Sequence, residues 1–382
     1  HAWLSTNRGR GAGLGNSNYG YFAGGSAPTS SIVDRTDYSN STVTAIARGP
    51  LTRAKYGNAA TSAASISAIT GGMLGAVSNT SFANVPVGTG YGYFVGGNDP
   101  GDRSIVQRVD YANDTATAAE KGPLELGGSL ISAAGNTSYG YVAGGNRPST
   151  SSIISRIDYN NDTVVAPNRG SLNRGRVSLA GVGNQNYGYF GGGEPGPGNS
   201  SQVDRLDYSS DTATASPRGP LATGRQSLAG VGNRNYGYFG GGDAGPAHTT
   251  IDRLNYANDT ATAVAKGSLA TAMYYLAATG NGNFAYWGGS TTPLSTVNRT
   301  DYSSDTTDAV GKGPLTVARD KLAATGNTSY GYFGGGAPGT MSTIDRVDFS
   351  NDTPTSTAKG PLVAARAYLS AVSPRENNLP TE

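Results

Sequence analysis

Apolar and polar positions alternate with a period of two in short bursts, and the bursts recur. In the segment Tyr236-Gly237-Tyr238-Phe239-Gly240-Gly241, Tyr236 and Tyr238 fall on one face and Gly237 and Phe239 on the other, which predicts a β-strand. A Tyr followed by an apolar residue closes such a segment seven times: Tyr21-Phe22, Tyr93-Phe94, Tyr141-Val142, Tyr189-Phe190, Tyr238-Phe239, Tyr286-Trp287 and Tyr332-Phe333. A Gly pair follows each, as in Gly24-Gly25 and Gly288-Gly289. Next comes an Arg-x-Asp-Tyr element, Arg35 to Tyr38, Arg108 to Tyr111, Arg156 to Tyr159, Arg205 to Tyr208 and Arg299 to Tyr302, with variants at Arg253 to Tyr256 and Arg346 to Phe349. An Asp-Thr turn such as Asn113-Asp114-Thr115 and a basic-Gly-Pro/Ser-Leu element such as Arg48-Gly49-Pro50-Leu51 complete the unit.

The spacings separate scaffold from variable connection. The aromatic of the Asp-Tyr element precedes the basic residue by 10 positions in every unit. Seven positions later come Lys55, Gly128, Arg176, Arg225, Met273, Arg319 and Arg366, and from all but the last a Tyr-Phe-type pair follows, after 13 positions except for the 38 from Lys55 to Tyr93. Only the stretch from Tyr-Phe to Asp-Tyr varies, from 16 to 19, so variation is confined to one connection plus one insertion of 25 residues, about 64–88.

Each unit predicts four strands, which in one repeat are A (Arg225 to Gly232), B (Tyr236 to Gly241), C (Thr250 to Tyr256) and D (Thr260 to Lys266). The Asn-Asp-Thr run suits a tight turn, because Asn and Asp tolerate left-handed geometry and bond their own backbone. Gly-Pro before Leu ends strand D. One four-stranded sheet of this size cannot bury both its faces, so the units must stack, and stacking around an axis leaves only short outer edges. The expectation is an all-β, seven-bladed β-propeller of four-stranded blades over residues 1–373, with 374–382 as a C-terminal tail. Eight A-like segments serve seven sets of B, C and D; either Arg8 to Gly15 or Arg366 to Val372 is expected to complete the first blade, leaving the other outside.

The order of these elements resembles the kelch repeat: an aromatic-apolar-Gly-Gly end to strand B (Tyr238-Phe239-Gly240-Gly241), Asp207-Tyr208 in C, and Pro220-Leu221 ahead of the basic Arg225. Strand D departs from it, carrying Thr212 to Thr214 where kelch units have Trp. The dialect Asp-Arg-Leu/Val-Asp-Tyr-Ser-Asn-Asp-Thr, then Lys/Arg-Gly-Pro-Leu, is similar to repeats in structural and tail-associated proteins of marine tailed phages, particularly cyanophages. That resemblance implies a virion component, tail-fibre- or capsid-associated, in an extracellular particle. It implies as partners other virion proteins and host surface glycans.

Composition narrows the chemistry. With 58 Gly and only 14% charged residues the chain would suit disorder, were its 23 Tyr not spaced at fixed intervals. A formal charge of +2 gives no footprint for nucleic acid, and no apolar run approaches a membrane span. No Cys is present, and the two His are His1 and His248, so thiolate or multi-His metal sites and a His-based triad lack their residues. No cofactor, no metal and no catalysis are expected; a carboxylate pair among Asp99, Asp102, Glu194 and Asp243 is the remote enzymatic alternative, a glycan-active propeller. The chain starts His1-Ala2-Trp3, which reads as a processed product or as part of something longer.

Candidate residues fall into three groups. Arg35, Arg108, Arg156, Arg205, Arg253, Arg299 and Arg346 occur in every repeat, which suits a ladder of Arg–carboxylate pairs between blades more than a ring of anion ligands. The B–C connections differ between repeats, and mixed polar loops on a rigid ring suit recognition; they supply Asn98, Asp99, Asp102, Arg103, Asn146, Arg147, Glu194, Asp243 and His248 as rim binding residues, with tolerated solvent-loop drift as the plain alternative. The insertion carries Met73, Leu74 and Phe82, read as a docking loop. The expected function is a non-catalytic virion structural or adhesion module, with a cellular kelch-type interaction scaffold as the alternative.

Overall fold

A computed structural model describes residues 12–15, 19–23, 32–37 and 46–48 of one compact unit (1–81 with 381–382) and residues 90–374 of a second (82–380). In the first unit, strands Ala12–Gly15, Tyr19–Ala23, Val33–Asp37 and Ile46–Arg48 form one antiparallel sheet in chain order. The second unit is a closed β-propeller of six four-stranded antiparallel blades. Its fourth blade shows the pattern: strand A is Ala229–Gly232, B Tyr236–Gly240, C Ile251–Asn255 and D Val264–Ala265. Tyr238 lies opposite Arg253 and Phe239 opposite Asp252. No α-helix occurs among the described residues; three single 3₁₀ turns, such as Tyr208–Ser210, link C to D.

The ring has six blades, not the seven expected from the repeat count. Ser370–Val372 pairs with Tyr93 to Val95, so the C-terminal A-like segment completes the blade formed by Tyr91–Val95, Val106–Asp110 and Ala119–Glu120. The first repeat keeps its own A-like segment, Ala12–Gly15 paired with Tyr19–Ala23, as a separate sheet. The physical reason lies in how blades join. The Asp of each Asn/Ser-Asp-Thr turn in the ring accepts from the preceding blade, and the last blade finds this partner in Asp114, with Tyr332 Oη at 2.9 Å, Arg346 Nη1 at 2.8 Å and Lys359 Nζ at 3.1 Å. The first repeat has Ser41 at that position (Asn40-Ser41-Thr42), so a ring of seven would give these two cations no carboxylate. The insertion residues Met73, Leu74 and Phe82 lie outside the described residues.

In the second unit the B strands are buried on both faces, because each blade supplies the wall for the next, while the D strands at the outer edge are exposed. Phe94, Phe190, Phe239, Trp287 and Phe333 are all fully buried. A Cβ on Gly240 would sit 2.6 Å from the Trp287 ring, and one on Gly334 2.6 Å from the Phe94 ring, so these glycines make room for the neighbouring aromatic. One blade pair reverses the sizes: Val95 replaces the Gly, and Val142 of the following blade replaces the aromatic, both in one apolar cluster. Volume is conserved across the interface, as close packing requires.

Candidate functional site

The Arg of the Arg-x-Asp-Tyr element belongs to the joint between blades. Arg253 Nη1 lies 2.7 Å and Tyr238 Oη 2.9 Å from Asp305 Oδ2 of the next blade, and Lys266 Nζ 3.2 Å from Oδ1. Gly267 donates its N–H to the Asp305 carbonyl at 2.8 Å. Arg108, Arg156, Arg205, Arg299 and Arg346 meet Asp162, Asp211, Asp259, Asp352 and Asp114 at 2.7–2.8 Å. Each guanidinium also lies over an aromatic ring of its own blade, Arg253 over Tyr236 at 4.4 Å. The aromatic that follows strand C of the next blade stacks on the B-strand Tyr, as Tyr302 does on Tyr238 with centroids 4.8 Å apart. Burial, then the adjoining Asp charge and hydrogen bond, hold the phenols of Tyr93, Tyr141 and Tyr189 above the ordinary Tyr range. The Asp of Arg-x-Asp-Tyr has another task, since Asp207 accepts from Ser209 N at 2.9 Å and starts the 3₁₀ turn. Arg35 sits in the first unit's sheet, opposite Tyr21.

A second set of buried cations fastens each blade internally. Arg176, Arg225 and Arg319, at the entry to strand A, are fully buried and pair with the equally buried Asp204, Asp252 and Asp345 at 2.7–2.8 Å. Where the entry residue is Gly128, Arg147 from the B–C loop fills the space, donating to Gly144 O, Val142 O and Ser155 Oγ. Arg147 was expected as a rim binding residue; only 4% exposed, it has no face for a ligand.

The other loop residues do reach the rim. Asn98 forms a bridge with Asp102 and with Ala367. Asp102 accepts from Ser129 Oγ and from Asn146 Nδ2, Arg103 donates to the Asp99 carbonyl, and Asp243 Oδ1 accepts from Gly245 N at 2.8 Å. His248 donates its backbone N–H to Gly242 O, and Glu194 bridges Val177. Four such bridges, Asn98–Ala367, Asn146–Ser129, Glu194–Val177 and Asp243–Gln226, join a B–C loop to the residue just after a strand-A entry, so both sets of connections share one rim.

At the centre of that rim lies a structure that the loop comparison missed. Six residues one step before the strand-A Leu/Ile, namely Leu130, Ser178, Ser227, Tyr275, Lys321 and Tyr368, have φ of 54–56°. Their main chains form a closed circle: Ser178 N donates to Leu130 O, Ser227 to Ser178, Tyr275 to Ser227, Lys321 to Tyr275, Tyr368 to Lys321 and Leu130 to Tyr368, all at 2.8–3.0 Å. Left-handed backbone at a non-Gly residue costs about 1 kcal/mol or more. Among the described residues Gly occupies nearly all the other left-handed positions, yet side chains are kept at these six.

Those side chains make an uneven collar. Tyr275, Lys321 and Tyr368 are consecutive around the circle; Leu130, Ser178 and Ser227 form the lower half. Lys321 Nζ lies 5.7 Å from the Tyr275 ring centroid and 5.2 Å from that of Tyr368, and the two rings meet edge-on at 5.6 Å. Asp320 Oδ2, 3.5 Å from Nζ, is nearly buried and accepts from Thr291 Oγ1. Burial acts to lower Lys321, but its bonds to Tyr368 and Asp320 outweigh that and hold the ammonium above its ordinary value. Beneath the collar, Ile131, Leu179, Leu228, Leu276, Leu322 and Leu369 form an aliphatic floor, and below that runs a narrow axial cavity of ≈ 110 Å³ lined by the A strands. The sequence signal was present: the position before the recurrent Leu varies through Ser, Tyr and Lys while its surroundings repeat.

Fold and rim together define a six-bladed β-propeller with a collared axial mouth. No protein-family model matches this chain, and no curated protein matches it.

Proposed function

We propose that this chain is a non-catalytic recognition module that engages its partner through the rim carrying the B–C loops and the axial collar. The observation that carries the reading is the convergence, on one rim of an otherwise repetitive ring, of the positions where the repeats differ. A scaffold that repeats its joints six times and varies its side chains in one place is organised for binding. Two of the four loop acids already have structural partners, which supports the same reading: Asp102 is bound to Ser129 and Asn146, and Asp243 caps its own turn.

The kelch-like order of the repeat, and its likeness to the dialect of tailed-phage structural proteins, extend the proposal to a virion module that contacts host surface glycans or neighbouring particle proteins. Peptide mass spectrometry of purified particles tests the setting, and rim variants test the surface. Charge reversal at Asp99 and Glu194 is expected to weaken partner capture by at least fivefold. Equal reversal at Asp110 and Asp158, the last residues of two C strands and so at the end away from the B–C loops, is expected to leave it unchanged. Absence of the chain from particles, with capture of a cellular protein through the same rim, would turn the reading to an interaction scaffold.

A further inference from the structure

We propose that the axial collar is a saccharide subsite selective for a carboxylated pyranose, with Lys321 receiving the carboxylate between Tyr275 and Tyr368. The inference rests on the rim being the recognition surface and gives its centre a chemistry. All six collar residues use their main-chain N–H and C=O in the closed circle, so only side chains are left to recognise a ligand. Of the six side chains, Lys321 alone is ionised at neutral pH. Its counter-charge, Asp320, lies nearly buried and tied to Thr291, whereas the Lys321 side chain as a whole keeps 25% of its surface exposed. The collar therefore presents positive charge outward.

The surroundings of that charge select more than an anion. Two phenol rings set at 81° flank the ammonium and offer aromatic faces and hydroxyl groups together. The opposite half is low, formed by Leu130, Ser178 and Ser227, and it opens onto the aliphatic floor. A pyranose has the matching division: an apolar C–H face for ring and floor, hydroxyls for Tyr and Ser, and, in a uronate or sialate, a carboxylate for Lys321. A small free carboxylate would find the charge but nothing for the floor. A neutral sugar would find the floor but no partner for the ammonium.

The test is calorimetric titration of the full chain with an oligogalacturonate and with its carboxyl-reduced form, which differs only in carrying hydroxymethyl for carboxylate. We expect the acidic oligosaccharide to bind at least tenfold more tightly than the reduced one, with affinity falling as salt rises. Acetate at equal carboxylate concentration is expected not to displace it. K321Q should lose at least tenfold toward the acidic form and leave the reduced form unchanged. Tyr368→Leu should weaken both. Because the circle of hydrogen bonds is main-chain, K321Q is expected to melt within about 2 °C of the parent, so a loss of binding is not a loss of fold. Equal binding of the two oligosaccharides, no binding of either, or full binding by K321Q would overturn the assignment. Those results would leave rim recognition standing, because that reading falls only when rim-loop variants leave partner capture intact.

Discussion

Replacing Gln107 by Asp should stabilise the ring at its closure. Arg366 enters the closing strand as Arg176, Arg225 and Arg319 enter theirs, and its Nη2 donates to Phe94 O at 3.0 Å just as theirs donate to Phe190, Phe239 and Phe333. Those three face a carboxylate opposite the same strand-B position; Arg366 faces Gln107, which lies opposite Phe94 in the same register. Arg366 Nε and Nη1 and both amide atoms of Gln107 have no hydrogen-bond partner, although both residues are fully buried. Burial pushes the Arg366 guanidinium down to about 10, and the charge of Glu120, which acts the other way, does not make up for it. At 1.36 kcal/mol per pH unit, leaving that charge unpaired costs about 3 kcal/mol. An introduced carboxylate brings its own desolvation penalty, for burial pushes the paired Asp204 up and the paired Arg176 down. The net gain expected is about 1–2 kcal/mol, or ~2–3 °C in melting temperature for a ring of this length. Differential scanning calorimetry at pH 7 of the parent, Gln107→Asp and Gln107→Asn reads it. An unchanged or lower Tm for Gln107→Asp, or an equal rise for Gln107→Asn, would refute the view that Arg366 lacks a counter-charge.

The remaining predictions concern the joints. Asp305→Ala strips Tyr238, Arg253 and Lys266 of their common acceptor; with Arg253 about a quarter exposed, the loss should be about 2 kcal/mol in denaturant unfolding, below the fully buried range. Gly240→Val should clash with Trp287 and cost about 1–3 kcal/mol, while adding Trp287→Val should recover part of that loss by copying Val95 and Val142; a double-mutant cycle reads the coupling. Burial acts to raise Asp114 and Asp352, but hydrogen bonds from Tyr332, Lys359 and Arg346, and from Tyr286 with Lys312 and Arg299, hold both below the ordinary carboxylate value. A depressed folded pKa gives stability that is present above the unfolded value of about 3.9 and is lost as pH falls through the folded one. Melting temperatures between pH 5 and pH 2 should therefore drop less steeply for D114N/D352N than for the parent.

Local pattern was enough to determine the four-stranded unit, its strand order and its turns. Tyr236 to Gly241 alternates with the strand period, Asn and Asp occupy the turns, and the constant intervals mark the scaffold; these are properties of neighbouring residues, which a linear reading captures. Which Asp each Arg meets was not legible. Asp207 and Asp259 lie in different elements of the repeat and either could serve as a partner by charge; only the stacking of one blade on the next shows that Arg205 reaches Asp259 while Asp207 caps a turn. Arg147 looked like a loop residue because it is one; that Gly128, distant in sequence, leaves a space for it is a fact of packing. Ring size was decided in the same way: seven repeats fit seven blades by count, and the choice of six turns on whether the last blade's Tyr332, Arg346 and Lys359 close onto Ser41 or Asp114. The collar needed closure most of all, because Tyr275, Lys321 and Tyr368, each some 46 residues from the next, become neighbours only when the A strands are gathered around one axis.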